Sequence, residues 1–461
     1  MAAVSLRSFG YLQLLLLIVF ITTLFINTLA FSSSLSRRAL QKPNKLPSHG
    51  FMVRLKHVDH VKNLTRFERL RRGVARGKNR LHRLNAMVLA AANASVGDQV
   101  KAPVVAGNGE FLMKLAIGSP PRSFSAIMDT GSDLIWTQCK PCQQCFDQAT
   151  PIFDPKQSSS FSKISCRSEL CGALPTSTCS SDGCEYLYTY GDSSSTQGVL
   201  AFETFTFGDS TEDQISIPGL GFGCGNDNNG DGFSQGAGLV GLGRGPLSLV
   251  SQLKEQKFAY CLTAIDDSKP SSLLLGSLAN ITPKTSKDEM KATPLIKNPS
   301  QPSFYYLSLQ GISVGGTQLS IPKSTFELHD DGSGGVIIDS GTTITYIEST
   351  AFSSLKNEFI AQMNLPVDDS GTGGLDLCFN LPAGTTQVEV PKLTFHFKGA
   401  DLELPGENYM IGDSKTGLLC LAIGSSRGMS IFGNLQQQNF MVVHDLQEET
   451  LSFLPTQCDS I

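Results

Sequence analysis

The sequence predicts an all-β protein made of two similar lobes, preceded by a leader and a basic segment. The chain of 461 residues is longer than one typical domain core, so more than one folding unit is expected. Its 44 Gly and 22 Pro residues favour many short strands joined by turns over long helices. An internal repeat, with one copy in each half, predicts that the second lobe duplicates the first.

Residues 1–30 have the pattern of a secretory signal peptide. Arg7 precedes a strongly apolar run over residues 12–26, and small residues suited to cleavage follow at 28–30. An uncleaved membrane anchor is the alternative, but polar residues at 22, 23 and 27 make the run short for a bilayer span. We therefore expect an exported protein.

Residues 31–104 are predicted to form a basic pro-segment and linker, cut somewhere within residues 83–107. Residues 1–100 carry a formal charge of +13, and the remainder carries −17. This asymmetry suits a nucleic-acid arm or a detachable partner of the acidic body, and export argues against nucleic acid. An amphipathic helix is predicted over residues 64–92 from apolar residues at helical spacing: Leu64, Phe67, Leu70, Val74, Leu81 and Leu84. A solvated surface helix is the alternative to a helix of an inhibitory pro-segment.

Two copies of one motif define the predicted lobes, residues 105–290 and 291–461. In each copy an apolar strand leads into an acidic residue, Asp129 or Asp339, followed by Thr/Ser-Gly-Ser/Thr. An apolar residue stands five positions after each Asp and an aromatic residue seven positions after it. A second echo, apolar-apolar-Gly, follows each copy at residues 239–241 and 431–433. Two motifs repeated in the same order argue for duplicated lobes.

The repeated acidic loops predict two carboxylates that face each other across a cleft between the lobes. The Gly of each loop permits a tight turn, and the hydroxyls offer hydrogen bonds that fix it. Two close carboxylates cannot both ionise easily, so they hold one proton between them. The ionised one can take a proton from a water that attacks a peptide carbonyl, while the protonated one hydrogen-bonds the carbonyl oxygen. Asp129 and Asp339 are therefore the predicted catalytic pair, with no covalent intermediate and best activity in acid.

Through these motifs, residues 105–461 resemble the pepsin-like aspartic peptidases, the established example of such proton sharing. The Cys-rich stretch at 139–184 resembles the plant nepenthesin-type branch in particular. The resemblance implies a pepsin-like double-β-barrel fold and an endopeptidase that holds an extended protein or peptide substrate, with apolar side chains beside the cut bond. It implies a monomer with no stable membrane association, no nucleic-acid partner, no cofactor and no metal. The expected destination is the extracellular apoplast, with the vacuole as the alternative.

Position by position, the resemblance assigns roles around the acidic pair. Thr130 and Ser340 would hold the two loops together, and Trp136 would support the flap. The substrate-binding positions would be Gly131, Ser132, Tyr190, Gly191, Asp192, Gly341 and Thr342. Within that set, the two hydroxyl side chains would hydrogen-bond the outer carboxylate oxygens, and the tyrosine would close over the substrate. Residues 191–196 depart from the pepsin flap, which leaves the subsite preference open.

Twelve cysteines, all beyond residue 138, predict up to six disulfides in an exported chain. The spacing of the first three, at 139, 142 and 145, also suits a metal or cluster site, although no nearby His completes a ligand set. The pairing cannot be derived from spacing. The resemblance implies Cys139–Cys142, Cys145–Cys224, Cys166–Cys184, Cys171–Cys179, Cys261–Cys458 and Cys378–Cys420. Asn280 is the predicted glycosylation site among three sequons, the others starting at Asn63 and Asn93.

Two other functions are alternatives. Residues 232–236 and 311–315 match the Gly-x-Ser-x-Gly pattern of serine hydrolases, with His329, His396 and His444 downstream. Neither match lies in a predicted strand-to-helix elbow, which that chemistry uses. The same two-lobed fold also serves secreted plant proteins that inhibit enzymes or bind carbohydrate and have no peptidase activity. Both acidic loops are whole here, which favours the peptidase.

Overall fold

The computed structural model describes residues 50–60, 62–92, 111–181, 183–190, 194–208, 214–230, 233, 236–282, 289–371, 373–382, 384–385 and 388–461. All of them belong to one compact unit, Leu46–Ile461. The predicted signal peptide, the Asn93 sequon, most of the predicted cleavage region, and Gly191 and Asp192 of the flap lie outside the described residues. Within these ranges, no helix has the length and apolar character needed to cross a membrane.

A strand and a long helix precede the first lobe: β1 (Phe51–His57) and α1 (Arg66–Ala92). The helix confirms the prediction made for residues 64–92. It starts at a capping box in which Thr65 N–H donates to Glu68 Oε2 (2.7 Å) and Glu68 N–H donates to Thr65 Oγ1 (3.2 Å). Its apolar face is buried, through Phe67, Leu70, Val74, Leu81 and Leu84. The solvated-helix alternative is therefore wrong, because this face packs against the body of the protein.

The first lobe consists of strands joined by turns, and its described residues include two short α-helices. The strands are β2 (Phe111–Ile117), β3 (Arg122–Asp129), β4 (Trp136–Gln138), β5 (Ser162–Lys163), β6 (Ser177–Ser180), β7 (Gly183–Thr189), β8 (Ser195–Phe207), β9 (Ile215–Asn229), β10 (Gly238–Gly241), β11 (Lys257–Cys261) and β12 (Ser271–Leu275). The helices are α2 (Glu169–Gly172) and α3 (Leu249–Leu253). The alternation of β2 is typical, since its first, third, fifth and seventh residues are buried.

The second lobe has the same character and one longer helix, α4 (Ser349–Gln362). Its strands are β13 (Lys291–Ile296), β14 (Tyr305–Leu307), β15 (Leu309–Val314), β16 (Thr317–Gln318), β17 (Val336–Ile338), β18 (Thr345–Glu348), β19 (Cys378–Asn380), β20 (Leu393–Phe397), β21 (Ala400–Leu404), β22 (Met410–Asp413), β23 (Leu418–Leu421), β24 (Ile423–Ser426), β25 (Ser430–Phe432), β26 (Phe440–Asp445) and β27 (Thr450–Pro455). The fold is thus the predicted two-lobed all-β architecture.

Antiparallel pairing joins the two lobes. Strands run side by side in the order β1-β12-β11-β26-β27-β13, so strands of both lobes form one continuous sheet. The strand that precedes the first lobe lies between β12 and β2 and pairs with both. Two smaller sheets decorate the second lobe, in the orders β16-β15-β20-β21 and β19-β23-β22.

The disulfides correct part of the expected set. Cys261–Cys458 and Cys378–Cys420 are present, as the resemblance implied. The expected Cys139–Cys142 and Cys145–Cys224 are replaced by Cys139–Cys224 and Cys142–Cys145. The cause is strand pairing: β4 and β9 run parallel, and the N–H of Cys139 donates to Gly225 O (2.7 Å) beside Cys224. All three cysteines of the closely spaced run are therefore in disulfides, so the metal-site alternative is wrong.

The remaining two expected pairs are also exchanged. Cys166–Cys184 and Cys171–Cys179 give way to Cys166–Cys179 and Cys171–Cys184. Burial explains the choice. Cys171 and Cys184 both lie in a hydrophobic cluster of the first lobe, whereas Cys179 is exposed and Cys166 is half-buried. The buried thiols pair with each other inside, and the outer two pair near the surface.

Candidate active site

The two predicted acidic residues stand at the ends of equivalent strands. β3 ends at Asp129 and runs parallel to β10, where Gly241 of the apolar-apolar-Gly echo lies opposite Asp129. β17 ends one residue before Asp339 and runs parallel to β25, and the N–H of Asp339 donates to Phe432 O (3.1 Å). The internal repeat therefore corresponds to a repeated structural unit. Parallel strand pairs bring the carboxylates to the same place from opposite lobes.

The hydrogen bonds around the two carboxylates match almost atom for atom. Gly131 N–H donates to Asp129 Oδ1 at 3.1 Å, and Gly341 N–H donates to Asp339 Oδ1 at 3.0 Å. The other oxygens accept from hydroxyls, with Ser132 Oγ at 2.6 Å and Thr342 Oγ1 at 2.5 Å. Both aspartates are fully buried. Each carboxylate is thus held in one orientation by one N–H and one O–H.

A direct bridge links the loops that carry the aspartates. Ser340 N–H donates to Thr130 Oγ1 (3.0 Å), and the hydroxyls of Thr130 and Ser340 lie 3.2 Å apart. The exchange of Thr for Ser in the second loop keeps this contact. The bridge fixes the spacing between the loops, because it joins residues that directly follow the two aspartates.

Arg80 of helix α1 occupies the space between the carboxylates. Its Nη2 donates to Asp129 Oδ1 (2.6 Å) and to Asp339 Oδ1 (2.9 Å), and its Nε donates to Asp339 Oδ2 (2.6 Å). One nitrogen therefore contacts both acidic side chains. The guanidinium is 1% exposed, and although burial alone would lower its pKa, the two carboxylates raise that pKa above its ordinary value.

Glycines allow this close approach. A Cβ on Gly131 would lie 2.6 Å from Arg80 Nη2, and one on Gly341 would lie 2.8 Å from Arg80 Cζ. Within the helix, a Cβ on Gly73 would lie 2.5 Å from Thr343 Cγ2, and one on Gly77 would lie 3.3 Å from Tyr346 Oη. Small residues on both sides thus let the helix backbone press against the second acidic loop.

Comparisons with known proteins agree with this geometry. Residues 111–277 match the family described as Xylanase inhibitor N-terminal, and residues 304–455 match Xylanase inhibitor C-terminal. The chain is 53% identical over 427 residues to aspartic proteinase nepenthesin-1 of Nepenthes gracilis, across 92% of this chain and 94% of that protein. The chain belongs to the nepenthesin-type branch of the pepsin-like aspartic peptidases. Aspartic proteinase nepenthesin-2 of the same plant is 49% identical over 430 residues, across 93% of this chain and 94% of that protein.

Solved structures support the fold of this nepenthesin-type peptidase. The crystal structure of edgp superimposes with a TM-score of 0.62 at 19% identity, across 91% of this chain and 97% of that chain. The crystal structure of Basic 7S globulin from soybean superimposes with a TM-score of 0.59 at 19% identity, across 75% of this chain and 93% of that chain. At that identity the likeness concerns the fold alone. Membership of the aspartic proteinase family, together with both intact loops, makes the chain an aspartic-type endopeptidase.

The predicted flap residues of the peptidase lie in an aromatic cluster. Tyr190 and Trp136 are both buried and both contact Phe233, with ring centroids 5.1 Å and 4.8 Å from it. Burial raises the pKa of Tyr190 well above its ordinary value. Sequence reasoning missed Phe233 because it stands alone in a Gly- and Asn-rich stretch. An isolated aromatic residue in such a stretch is the signal that could have found it.

Asp133 is a second site residue that the sequence did not single out. Its buried carboxylate accepts from Gly245 N–H (2.9 Å) and from Ser303 Oγ (2.5 Å), and Ser303 precedes strand β14 of the second lobe. Burial raises the pKa of Asp133, while those two hydrogen bonds lower it. The residue that follows the first acidic loop therefore ties that loop to the opposite lobe.

Proposed function

We propose that this aspartic endopeptidase is secreted as an inactive precursor and cuts proteins in acid with a water held between Asp129 and Asp339. One observation carries the proposal. Matching hydrogen bonds hold two buried carboxylates so close together that a single nitrogen of Arg80 contacts both. Two carboxylates at that distance share one proton, since the second ionisation is opposed by the first.

The chemistry follows from the oriented oxygens. Once Arg80 leaves, a water can lie between the two Oδ1 atoms. The ionised aspartate takes a proton from this water as the water oxygen attacks the peptide carbonyl carbon, and the protonated aspartate donates its proton to the carbonyl oxygen. Ser132 and Thr342 hold the outer oxygens, so each proton stays on the side that faces the substrate. When the tetrahedral intermediate breaks down, the aspartate that took the water proton gives it to the leaving amine nitrogen and the C–N bond breaks. The other aspartate regains its proton from the hydroxyl group of the intermediate, and no bond to the protein forms.

Residues 31–104 would act as the inhibitory pro-segment. Arg80 would fill the position of water and substrate, and β1 pairs with β12 in the sheet that joins the lobes. The segment is basic and the remainder is acidic, so protonation of carboxylates weakens their attraction as the pH falls. Removal within residues 83–107 would then free the cleft.

Substrate and destination follow from the same proposal. An extended peptide would cross the cleft beneath Tyr190, with apolar side chains beside the cut bond. Asn280 is exposed and can carry a glycan. The signal-like residues 1–30 support export to the apoplast, with the vacuole as the alternative, and the protein would work as a monomer on protein or peptide substrates.

A binding protein without activity is the second candidate, because the matched families are described as xylanase inhibitors. The intact and symmetric acidic loops favour the peptidase. The deciding experiment incubates the secreted chain at acid pH with denatured globin. The proposal expects globin fragments, their loss with pepstatin, and a new N-terminus within residues 83–107. An acid-treated protein that binds an endoxylanase and leaves globin intact, or an active form that starts at residue 31, would overturn it.

A further inference from the structure

The outer face of the second lobe carries a serine, a histidine and an aspartate in one hydrogen-bonded row. Ser313 Oγ lies 2.7 Å from His396 Nε2, and His396 Nδ1 lies 2.7 Å from Asp401 Oδ1. Ser313 belongs to residues 311–315, one of the two Gly-x-Ser-x-Gly matches in the sequence. The peptidase chemistry uses none of these three residues.

Strand register explains how the three side chains meet. In the sheet β16-β15-β20-β21, Gly311 lies opposite His396, and His396 lies opposite Asp401. Ser313 is two positions further along β15 and therefore points to the same face as Gly311. The intervening and flanking residues Ile312, Val314, Phe395 and Phe397 are buried on the other face. The row thus lies on the solvent side of a well-supported sheet.

Gly311 lies buried beside the row, beneath the side chains of Gln318 and His396. A Cβ at this position would lie 3.4 Å from Gln318 Nε2 and 4.0 Å from His396 Cδ2. Because no Cβ is present, the side chains of Gln318 and His396 can both lie over Gly311, and the histidine reaches diagonally to Ser313. The amide nitrogen of Gln318 therefore lies on the same side of the sheet as His396, where it can donate a hydrogen bond to an acyl oxygen at Ser313. The imidazole is 26% exposed, so it can be reached from solvent.

We propose that Ser313, His396 and Asp401 form a second hydrolytic site that acts on small activated acyl esters. Asp401 holds the imidazole so that Nε2 faces the serine, which is the role of the carboxylate in a Ser-His-Asp triad. His396 Nε2 accepts the Ser313 proton as Oγ bonds to the acyl carbon, and Gln318 donates to the carbonyl oxygen. The ester C–O bond then breaks, and the leaving alcohol carries away the proton from His396. A water, deprotonated by His396, hydrolyses the acyl-serine and releases the acid.

The site differs from an elbow-type hydrolase in a way that limits its substrates. Ser313 lies on a strand at the solvent side of a sheet, between neighbouring side chains, so we expect it to accept only a small acyl group. A short chromogenic ester is therefore the suitable probe, and a protein substrate is not. Activity on such an ester is independent of Asp129 and Asp339.

The test uses the full-length chain at neutral pH with p-nitrophenyl acetate and with a fluorophosphonate label. We expect labelling at Ser313 in peptide maps and a fall in ester hydrolysis of at least tenfold in Ser313→Ala and in Asp401→Asn. Gly311→Val should lower hydrolysis to a similar extent, because the added side chain would displace Gln318 and His396. Ser333→Ala is the matched control, since Ser333 also contacts a histidine (His329, 3.1 Å) but its neighbour Asp331 bonds the Ser333 N–H.

Each outcome decides the proposal. Globin cleavage after acid treatment of Ser313→Ala shows that the variant is folded. The proposal is overturned if the wild-type chain is not labelled at Ser313, if Ser313→Ala hydrolyses the ester less than tenfold more slowly, or if Ser333→Ala loses as much activity as Ser313→Ala. Labelling at Ser313 with the expected losses supports it.

Discussion

The two acidic loops have the same inner contacts and different outer ones. In each loop a Gly N–H and a hydroxyl hold the aspartate, with distances that agree within 0.1 Å. The next residue differs. Asp133 of the first loop accepts a hydrogen bond from Ser303 in the second lobe, whereas Thr343 of the second loop packs against Gly73 of helix α1.

The inner and outer contacts of the loops have different roles. The shared inner contacts orient both carboxylates toward one point, as the proposed water activation requires. The outer contacts serve two other tasks: the first loop anchors one lobe to the other, and the second loop receives the N-terminal segment. Arg80 follows this asymmetry, since it makes two hydrogen bonds to Asp339 and one to Asp129. The hydrophobic neighbours of the helix also lie mostly in the second lobe, including Ile337, Ile344 and Tyr346.

The largest expected effect comes from Arg80, which joins both loops. Arg80→Ala leaves two buried carboxylates without their cationic partner, a change that typically costs about 3–5 kcal/mol. The unprocessed chain should then cleave a quenched peptide in acid before any new N-terminus forms, while the wild-type chain stays silent. Arg80→Lys keeps the charge but cannot reach both carboxylates with a planar fork, so it should give intermediate activity. If the unprocessed Arg80→Ala chain is as inactive as the unprocessed wild-type chain, the inhibitory role proposed for Arg80 is wrong.

A substitution at His444 tests the sheet in which strands of the two lobes pair. His444 lies on β26 opposite Phe258 of β11, and the two rings stack at 4.3 Å. Burial and the charge of Arg244 lower the pKa of His444 from 6.5 to about 3. As the pH falls, the imidazole is therefore protonated in the unfolded chain before it is protonated in the folded protein. The free energy of unfolding should decrease by roughly 4 kcal/mol as the pH drops from 6.5 to about 3. His444→Phe should flatten the fall of the melting temperature over this range, and exposed His329→Ala should not.

Asp133 should respond to pH in the opposite direction. Burial raises its folded pKa above 3.8, so its contribution to stability is complete below pH 3.8 and is lost as the pH rises through the raised value. Asp133→Asn should remove this loss. Asp133→Ala leaves the donors of Gly245 and Ser303 unpaired and should cost about 1–3 kcal/mol in urea unfolding. In the matched variant Thr343→Val, a buried hydroxyl without a hydrogen bond to any described residue is replaced by a methyl group. The change in stability should therefore be smaller than about 0.5 kcal/mol, and an equal cost for both positions would remove the contrast between the loops.

Glu68 gives the smallest expected effect and concerns only docking of the helix to the second lobe. Its carboxylate accepts from Thr65 N–H and bonds Lys415 Nζ (3.0 Å), and these contacts lower its pKa to about 2. The stabilisation that the ionised Glu68 carboxylate provides is present above pH 4.5 and is lost as the pH falls toward 2. Glu68→Gln should therefore move release of the N-terminal segment to a slightly higher pH. The measurement is the pH at which the shortened, processed chain first appears on a gel. Lys415→Met should shift it in the same direction, and no shift in either variant would contradict the contact.

Local patterns in the sequence predicted a large part of this structure. The Asp-Thr/Ser-Gly copies and their echoes were sufficient for the two lobes, because each motif specifies a short strand and turn. The apolar spacing also predicted helix α1, since periodicity is a property of one segment.

Choices between distant partners could not be predicted in this way. Arg72, Arg76 and Arg80 look alike in the sequence, and only Gly73 and Gly77 indicate which turn of the helix comes closest to the aspartates. The cysteine pairing failed for the same reason: Cys171 selects Cys184 through a shared buried cluster, which spacing does not encode. Ser313 likewise gains its histidine from another strand.

The most direct test of the shared-proton site compares Asp129→Asn and Asp339→Asn in the acid-processed protein, with kcat/KM measured on one peptide across acid pH. Because the loops hold their carboxylates identically, each substitution should lower kcat/KM by at least about a thousandfold, and the double variant should be little worse than either single one. Retention of more than a tenth of the activity by either single variant would contradict the account.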